Sequence, residues 1–536
     1  MKRILNIGLF ILVLTGFSSC SDWLDLNPED SVIRDRFWKT QAEAESALIG
    51  CYSSMLDDDV LLRYFLWGEM RADMVMTTSV SPDYMLSVRD GEIVSDNQIT
   101  RWDKFYKTIN QCNTVIELAP KAQESDLSFP ESALRQYCAE AVCIRSLAYF
   151  YLLRTFRDVP YNTVASIYDN QDFSLPATPQ AELVDALISD LTRIEKDLPL
   201  SFGDVASRKG RFTIWSMKAL LADLYLWKGD YANCISQCNQ IINSKQFSLV
   251  PVSREEFLVE GYVPGTYYPV YEASEGDIST LFKQMYADGN CSESILELQV
   301  GIDKNTPFAR LFAPGWNPTL MAKADIRIEY FPPSTLDRAW SDIRTEGISY
   351  YQGYIWKWVG LSRGDINDTR TPTTSHNNWI FYRLADIILM KAEALTQQAF
   401  DDNSQDKLLE AKALVEQIRA RANAPESTDP FFNVEGDLDA ITMESFILDE
   451  RAREFLFEGK RWFDVLRNAR RNNYSERNLN YLIKLAIYSA SPEKVSSLQN
   501  KWTNNPGSHY LPINIDEINT NKNLKQNEFY EDNLDK

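Results

Sequence analysis

The sequence predicts an all-α protein: helical hairpins stacked into a superhelical scaffold, interrupted by a loop-rich, irregular region. Three observations predict it. Apolar residues recur at three-and-four spacing through most long segments. Turn residues stand between consecutive periodic segments, as Gly and Asp do in LYLWKGDYANCI. From about residue 248 to 375 the periodicity is lost, and Pro, Gly, Tyr and Trp accumulate. The 536 residues, 44% hydrophobic and 12% aromatic, are ample for one large helical body with a buried core.

In chain order, MKR and the apolar run LNIGLFILVLTGF come first, the run being too short for a comfortable spanning helix. Small residues and a thiol follow, Phe17-Ser18-Ser19-Cys20. This resembles the lipobox of bacterial lipoproteins, although its first position is usually Leu. On that reading residues 1–19 are a signal peptide and Cys20 takes the lipid; a simple cleaved signal with an incidental cysteine is the alternative. No later segment reaches the ~18 uninterrupted apolar residues of a spanning helix, so the mature chain, residues 20–536, is expected to be exported, soluble in body and tethered.

An irregular stretch, 79–97, interrupts the helical N-terminal part. Helices are expected over 139–156, 182–198, 216–242, 384–400 and 407–422. Within 216–242, Gly229 ends one helix and Asp230-Tyr231 turn into the next, which resembles a tetratricopeptide-type hairpin without a strict 34-residue period. Such pairs bury their apolar faces only by stacking, hence their occurrence in series. DDNSQD, 401–406, lacks the glycine and terminal acid of a calcium loop, and reads as a solvated connector.

Charge and composition exclude several activities. Asp plus Glu number 76 against 55 Lys plus Arg, a formal charge of −21 that repels phosphate backbones and argues against nucleic acid. Only His376 and His509 exist, which removes HExxH zinc sites and most Ser-His-Asp arrangements. Neither a phosphate-binding GxxxxGK[ST] nor a strand-embedded GxGxxG is present, and no carboxylate pair is singled out for glycoside hydrolysis. Cys51, Cys112, Cys138, Cys143, Cys234, Cys238 and Cys291 are an odd set without CxxC. Cys234 and Cys238 share a helical face and read as small buried apolar side chains. No catalytic residue, cofactor or metal is expected.

ILDERAREFLFEGKRWFDVLR, 447–467, mixes five acids and five bases with large apolar residues. On a helix, Leu448, Ala452, Phe455 and Leu456 line one face, and Gly459 turns the chain into a second amphipathic helix. Arg451, Glu454, Glu458 and Arg461 are placed to bond one another or the carbonyls at the turn, a salt-bridged corner needing no cleft. The same residues resemble the C-terminal signature of the SusD/RagB family of outer-membrane nutrient-binding lipoproteins. Further similar stretches run in the family's order: CSDWLDLNPED, FWKTQAEAESALIGCY, WDKFYKTINQCNTVIE, RSLAYFYLLRTFRDVPY, SESILELQ, FYRLADIILMKAEAL and YLPINIDEINTNKNLKQNEFY. The resemblance covers essentially the whole mature chain. It implies four tetratricopeptide-like pairs with an irregular ligand-facing part, lipid-anchored at the surface of the outer membrane. It implies a non-catalytic lid on a SusC-type TonB-dependent transporter, capturing oligosaccharides or, in the RagB branch, peptides.

Sugar rings present flat C–H faces that match aromatic planes, while polar side chains fix the hydroxyls. Candidates by that chemistry are Arg71, Asp73, Tyr84 and Arg89 near the first loop, and Tyr267, Tyr268, Tyr271, Trp316 and Tyr354 in the irregular middle. Trp102, Trp227 and Trp462 lie on periodic faces and read as core. Glycan capture is the favoured function. Peptide capture, which needs backbone pairing or charged pockets more than aromatic planes, is the alternative, and glycosidase activity is a third reading.

Overall fold

A computed structural model describes residues 37–531, except 168–170, 172, 261–263, 333–341 and 433. The signal segment and Cys20 lie outside the described residues. The scaffold begins with α1 (Gln41–Ser54) and α2 (Asp58–Glu69), followed by α3 (Asp103–Ser125) and α4 (Glu131–Phe156). It continues through α5 (Gln180–Ile194), α6 (Ile214–Lys228) and α7 (Tyr231–Asn243). After the irregular region come α8 (Leu384–Asp402), α9 (Gln405–Arg421), α10 (Ala440–Glu454), α11 (Arg461–Arg470) and α12 (Glu476–Tyr488).

Local chemistry sets these boundaries. The Thr40 hydroxyl and the Glu43 carboxylate form a reciprocal capping box at the start of α1. Gly229, at φ +87°, closes α6, and the Asp230 carboxylate accepts from the Asn233 N–H at 3.2 Å to open α7. Asn403 takes the same left-handed conformation after α8, and Ser404 caps α9, so the connector expected over 401–406 narrows to these two residues, the flanking four belonging to the helices. Trp102, Trp227, Trp462, Cys234 and Cys238 are all buried, as the periodicity indicated.

The hairpins α3–α4, α6–α7 and α8–α9 stack laterally, and α7 packs on α8 although the whole irregular region separates them in sequence. That region leaves and returns at one seam. Strand Ser294–Leu298 pairs antiparallel with Trp379–Arg383, and the Leu384 N–H donates to the Glu293 carbonyl at 2.9 Å where α8 begins. The expectation of an irregular middle needs correction: besides Ser294–Leu298 it holds a helix, Glu275–Phe282, and a longer pair of strands. Arg254–Glu260 and Tyr267–Ala273 form a regular antiparallel hairpin. Its strands, REEFLVE and YYPVYEA, hold aromatic and β-branched residues that favour extended backbone, but neither alternates apolar with polar, so no period marks them in the sequence. Likewise 79–97 contains a short helix, Asp83–Arg89.

The stretch 447–467 is buried throughout except for half-buried Asp449 and Lys460. Its charges are locked as expected, but mostly to distant residues rather than to one another. Arg451 donates to Asp464 and Asp386, both at 2.9 Å, and Arg461 to Asp73 at 3.1 Å and to the Leu448 carbonyl at 3.2 Å. Glu454 receives Arg344, Arg383 and Arg421, while Glu458 receives Arg383 and Lys357. Burial alone would push the Glu450 carboxyl up, but the guanidiniums of Arg344, Arg453 and Arg419 outweigh it and hold it at about 2. Each of these carboxylates is occupied by cations within the core, so the cluster is framework rather than an acid–base site.

Candidate ligand-binding surface

Strand Val75–Thr77 pairs antiparallel with Leu320–Ala322, Val75 opposite Ala322 and Thr77 opposite Leu320. The Ala322 N–H also donates to the Gly353 carbonyl at 2.8 Å, which adds the small hairpin of Tyr350–Tyr351 and Tyr354–Ile355. Segments far apart in sequence thereby become one layer on the helical body.

Trp316 stands on the loop entering this layer, between Gly315 at φ +80° and Asn317 at φ +49°. The loop is pinned. The Thr78 hydroxyl donates to the Pro318 carbonyl at 2.8 Å, the Thr78 N–H to the Thr319 carbonyl at 3.2 Å, and the Ser81 hydroxyl to that same carbonyl. The indole is nevertheless 52% exposed, so a rigid loop holds out an apolar plane. Tyr354 is half-buried on the adjoining hairpin. Arg89 braces the layer from below: it holds Asp90 bidentately at 2.7 and 3.0 Å, and donates to the Thr77 hydroxyl at 3.0 Å and the Ser491 hydroxyl at 2.9 Å. Tyr84 is half-buried against the core, and burial raises its phenol against the pull of Arg63.

Two candidates belong elsewhere. Arg71 and Asp73 are inside the body, 3% and 2% exposed. Arg71 donates to the His509 carbonyl at 2.7 Å and lies 4.4 Å from the Trp462 ring centre, and Asp73 is taken by Arg461 and the Tyr330 hydroxyl. Asp73 is paired as a buried charge must be, whereas Arg71 has one carbonyl and the Trp462 ring for partners, and burial pulls its pKa down to about 9. In sequence both stand just before the irregular stretch 79–97, and that nearness alone suggested a surface role.

The remaining candidates sit on the protruding hairpin. Tyr267 is 60% exposed, whereas Tyr271 is half-buried beneath the Arg254 guanidinium, 4.3 Å from its ring centre. The Tyr268 main chain pairs with Val259. This hairpin is anchored near the end of α9, where the Asn423 side chain donates to the Tyr271 carbonyl at 3.1 Å. Trp316, Tyr354 and Arg89 therefore share a layer, and the three tyrosines of the hairpin form a separate feature. Sequence reasoning missed Tyr488. Its ring covers the Lys323 ammonium at 3.3 Å, and its hydroxyl donates to Asp325 at 3.0 Å, extending the layer. Lying in the last turn of α12, it looks like any helical aromatic.

Residues 333–530 match the model of the SusD family, and residues 22–226 match a model described as starch-binding associating with outer membrane. The two matches run in order and flank the irregular middle. The chain belongs to the SusD-like family.

SusD-like protein P38 of Formosa agariphila is 28% identical over 490 residues, covering 87% of this chain and 92% of that protein. Starch-binding protein SusD of Bacteroides thetaiotaomicron is 28% identical over 188 residues, 35% of this chain and 26% of that one. Among solved structures, a SusD superfamily protein from Bacteroides vulgatus superposes with a TM-score of 0.69 at 20% identity, covering 92% of this chain and 100% of that one. Another, from Bacteroides thetaiotaomicron, gives 0.67 at 22% identity, covering 92% and 99%. At these identities the superpositions establish the SusD-like fold. The stretch the family models leave unmatched, 227–332, holds both Trp316 and the tyrosine hairpin.

Proposed function

We propose that this SusD-like chain captures an oligosaccharide outside the cell and passes it to a SusC-like TonB-dependent transporter in the outer membrane, acting as its lid. Residues 1–19 are removed, Cys20 carries the lipid, and residues 20–536 act as one unit that binds without catalysis. The observation that carries this reading is Trp316, a half-exposed indole on a loop pinned at Thr78 and Ser81. A rigid apolar plane beside polar side chains is the arrangement that stacks a sugar ring at little entropic cost. The starch-binding description of the family model over the N-terminal part supports a carbohydrate ligand. The acids and arginines of the C-terminal corner are taken up by internal charge partners, most of them from distant segments, which supports a binder rather than a hydrolase. The peptide alternative gains no support from these relatives. Calorimetry across a glycan panel, with chromatography of the recovered ligand, tests the proposal. The expected result is a bound oligosaccharide returned intact; no binder, or a shortened product, overturns it.

A further inference from the structure

A groove crosses the C-terminal end of α1, on residues outside the aromatic layer. A cleft of 500 Å³ lies between the last turns of α1, the first half of α3 and the loop bearing Lys304. A second cleft, 390 Å³, shares Ser53 and Leu56 with it, so the two adjoin across those residues. The ends differ in chemistry. Lys104, Lys107 and Lys304 line the first, whereas Ile49, Tyr52 and Leu298 wall the second.

Three ammonium groups converge there on a protein whose formal charge is −21. Two have carboxylate neighbours: Lys304 meets Asp58 at 2.5 Å, and Lys104 meets Asp57 at 3.7 Å. Among the described residues Lys107 has no such partner, which leaves the polar end a net cation. The side-chain oxygen of Gln111, which lines the same cleft, is buried and accepts no hydrogen bond among the described residues. The oxygen is covered as it stands, so the Gln111 amide turns toward the cleft to take an incoming hydroxyl, which recovers the free energy that a buried acceptor without a donor costs. At Gly50, which also lines the cleft, nothing lies within 4 Å of where a Cβ would stand, so the floor is open.

We infer that this groove is a second saccharide subsite, selective for an acidic sugar: a carboxylate or sulfate ester lies against Lys107 and its neighbouring ammonium groups. The ring faces pack on Ile49 and Tyr52, and a sugar hydroxyl donates to Gln111. This inference rests on the glycan-capture reading, and adds to it the charge class of the cargo. Charge attraction in a partly enclosed cleft is screened less than on open surface, so the preference is expected to be measurable and to weaken with salt.

The test is an array holding acidic and neutral members of each backbone, including galacturonides against their methyl esters and sulfated galactans against desulfated ones. Binding is read for wild type, Gly50→Phe and Lys107→Glu. Gly50→Phe fills the groove from a helical position with free space, so the fold is expected to survive, which an unchanged melting temperature verifies. The expected result is that wild type binds an acidic member about tenfold tighter than its neutral twin, and that both variants erase the difference while retaining Trp316-dependent binding. The carboxylate and sulfate arms separate the two anion sources. Equal affinity for acidic and neutral twins, or a preference surviving both variants, overturns the acidic subsite alone. Silence across the whole array overturns glycan capture and the subsite together.

Discussion

The backbones of Gly68 and Gly459 touch: a Cβ on Gly68 would fall onto the carbonyl group of Gly459. Gly459, at φ +72°, is closed in from its own side, where a Cβ would lie 2.5 Å from the Tyr64 carbonyl oxygen. The last turns of α2 and the corner between α10 and α11 are thus held at backbone contact.

Gly68→Ala is therefore expected to destabilise. In an ordinary helix interior the same change stabilises by about 1 kcal/mol. Here it must push apart two backbones in a close-packed core, a cost on the order of 3 kcal/mol or more. Denaturant unfolding of the two proteins checks the sign.

Glu454→Gln leaves the guanidiniums of Arg344, Arg383 and Arg421 around a neutral amide. Uncompensated buried charge of this kind costs about 3–5 kcal/mol. The expected outcome is a large fall in the unfolding midpoint. A glycosidase-type role would instead show as lost turnover with stability intact.

Acid should unfold the protein through the same network. For Glu450 and Asp386, burial favours the neutral form, but adjacent cations prevail and hold each folded-state pKa at about 2. The ordinary carboxylate value is about 4. The ionised form is thus favoured in the folded state, so this stability is present above about pH 4 and drains as pH falls toward 2. Melting temperatures across that window are expected to drop steeply, and less so in Asp386→Asn.

Glu69 runs the other way. Burial pushes its carboxyl up to about 8, despite hydrogen bonds from the Gly459 and Lys460 N–H groups. The protonated form is favoured in the folded state, so that contribution is full below the ordinary value and is lost as pH rises through 8. Glu69→Gln keeps an acceptor for both N–H groups and cannot ionise. Relative to wild type it is expected to gain stability between about pH 5 and 8, on the order of a few kcal/mol at most, measured by denaturant midpoints at each pH.

Trp316→Ala is expected to weaken oligosaccharide binding roughly tenfold, about 1.4 kcal/mol, with the melting temperature unchanged because the ring is half-exposed. Tyr267→Ala on the separate hairpin reports, in the same calorimetric experiment, whether that feature also touches ligand.

The helices were legible because periodicity, caps and turn residues are local: Gly229 and Asp230 mark the α6–α7 corner in the chain itself. The C-terminal corner was legible as paired charge, since so many acids and bases among large apolar residues must neutralise somewhere. Their partners were not. Arg344, Arg383 and Arg421 reach Glu454 from segments that only the fold brings near. Arg71 and Asp73 show the same limit at the surface, where two polar residues beside a loop proved to be interior.

By itself, then, the sequence determined the helical class, the stacked hairpins and which aromatics are core, because those follow from spacing of about three to four residues; the family resemblance rested on motifs in a fixed order along the chain. Tertiary structure alone decided that Trp316 joins Thr78 and Tyr354 in one layer, that the hairpin tyrosines stand apart, and that a lysine-lined groove opens beside Gly50. Contacts between distant segments depend on how whole helices pack, and no local pattern of side chains encodes that geometry.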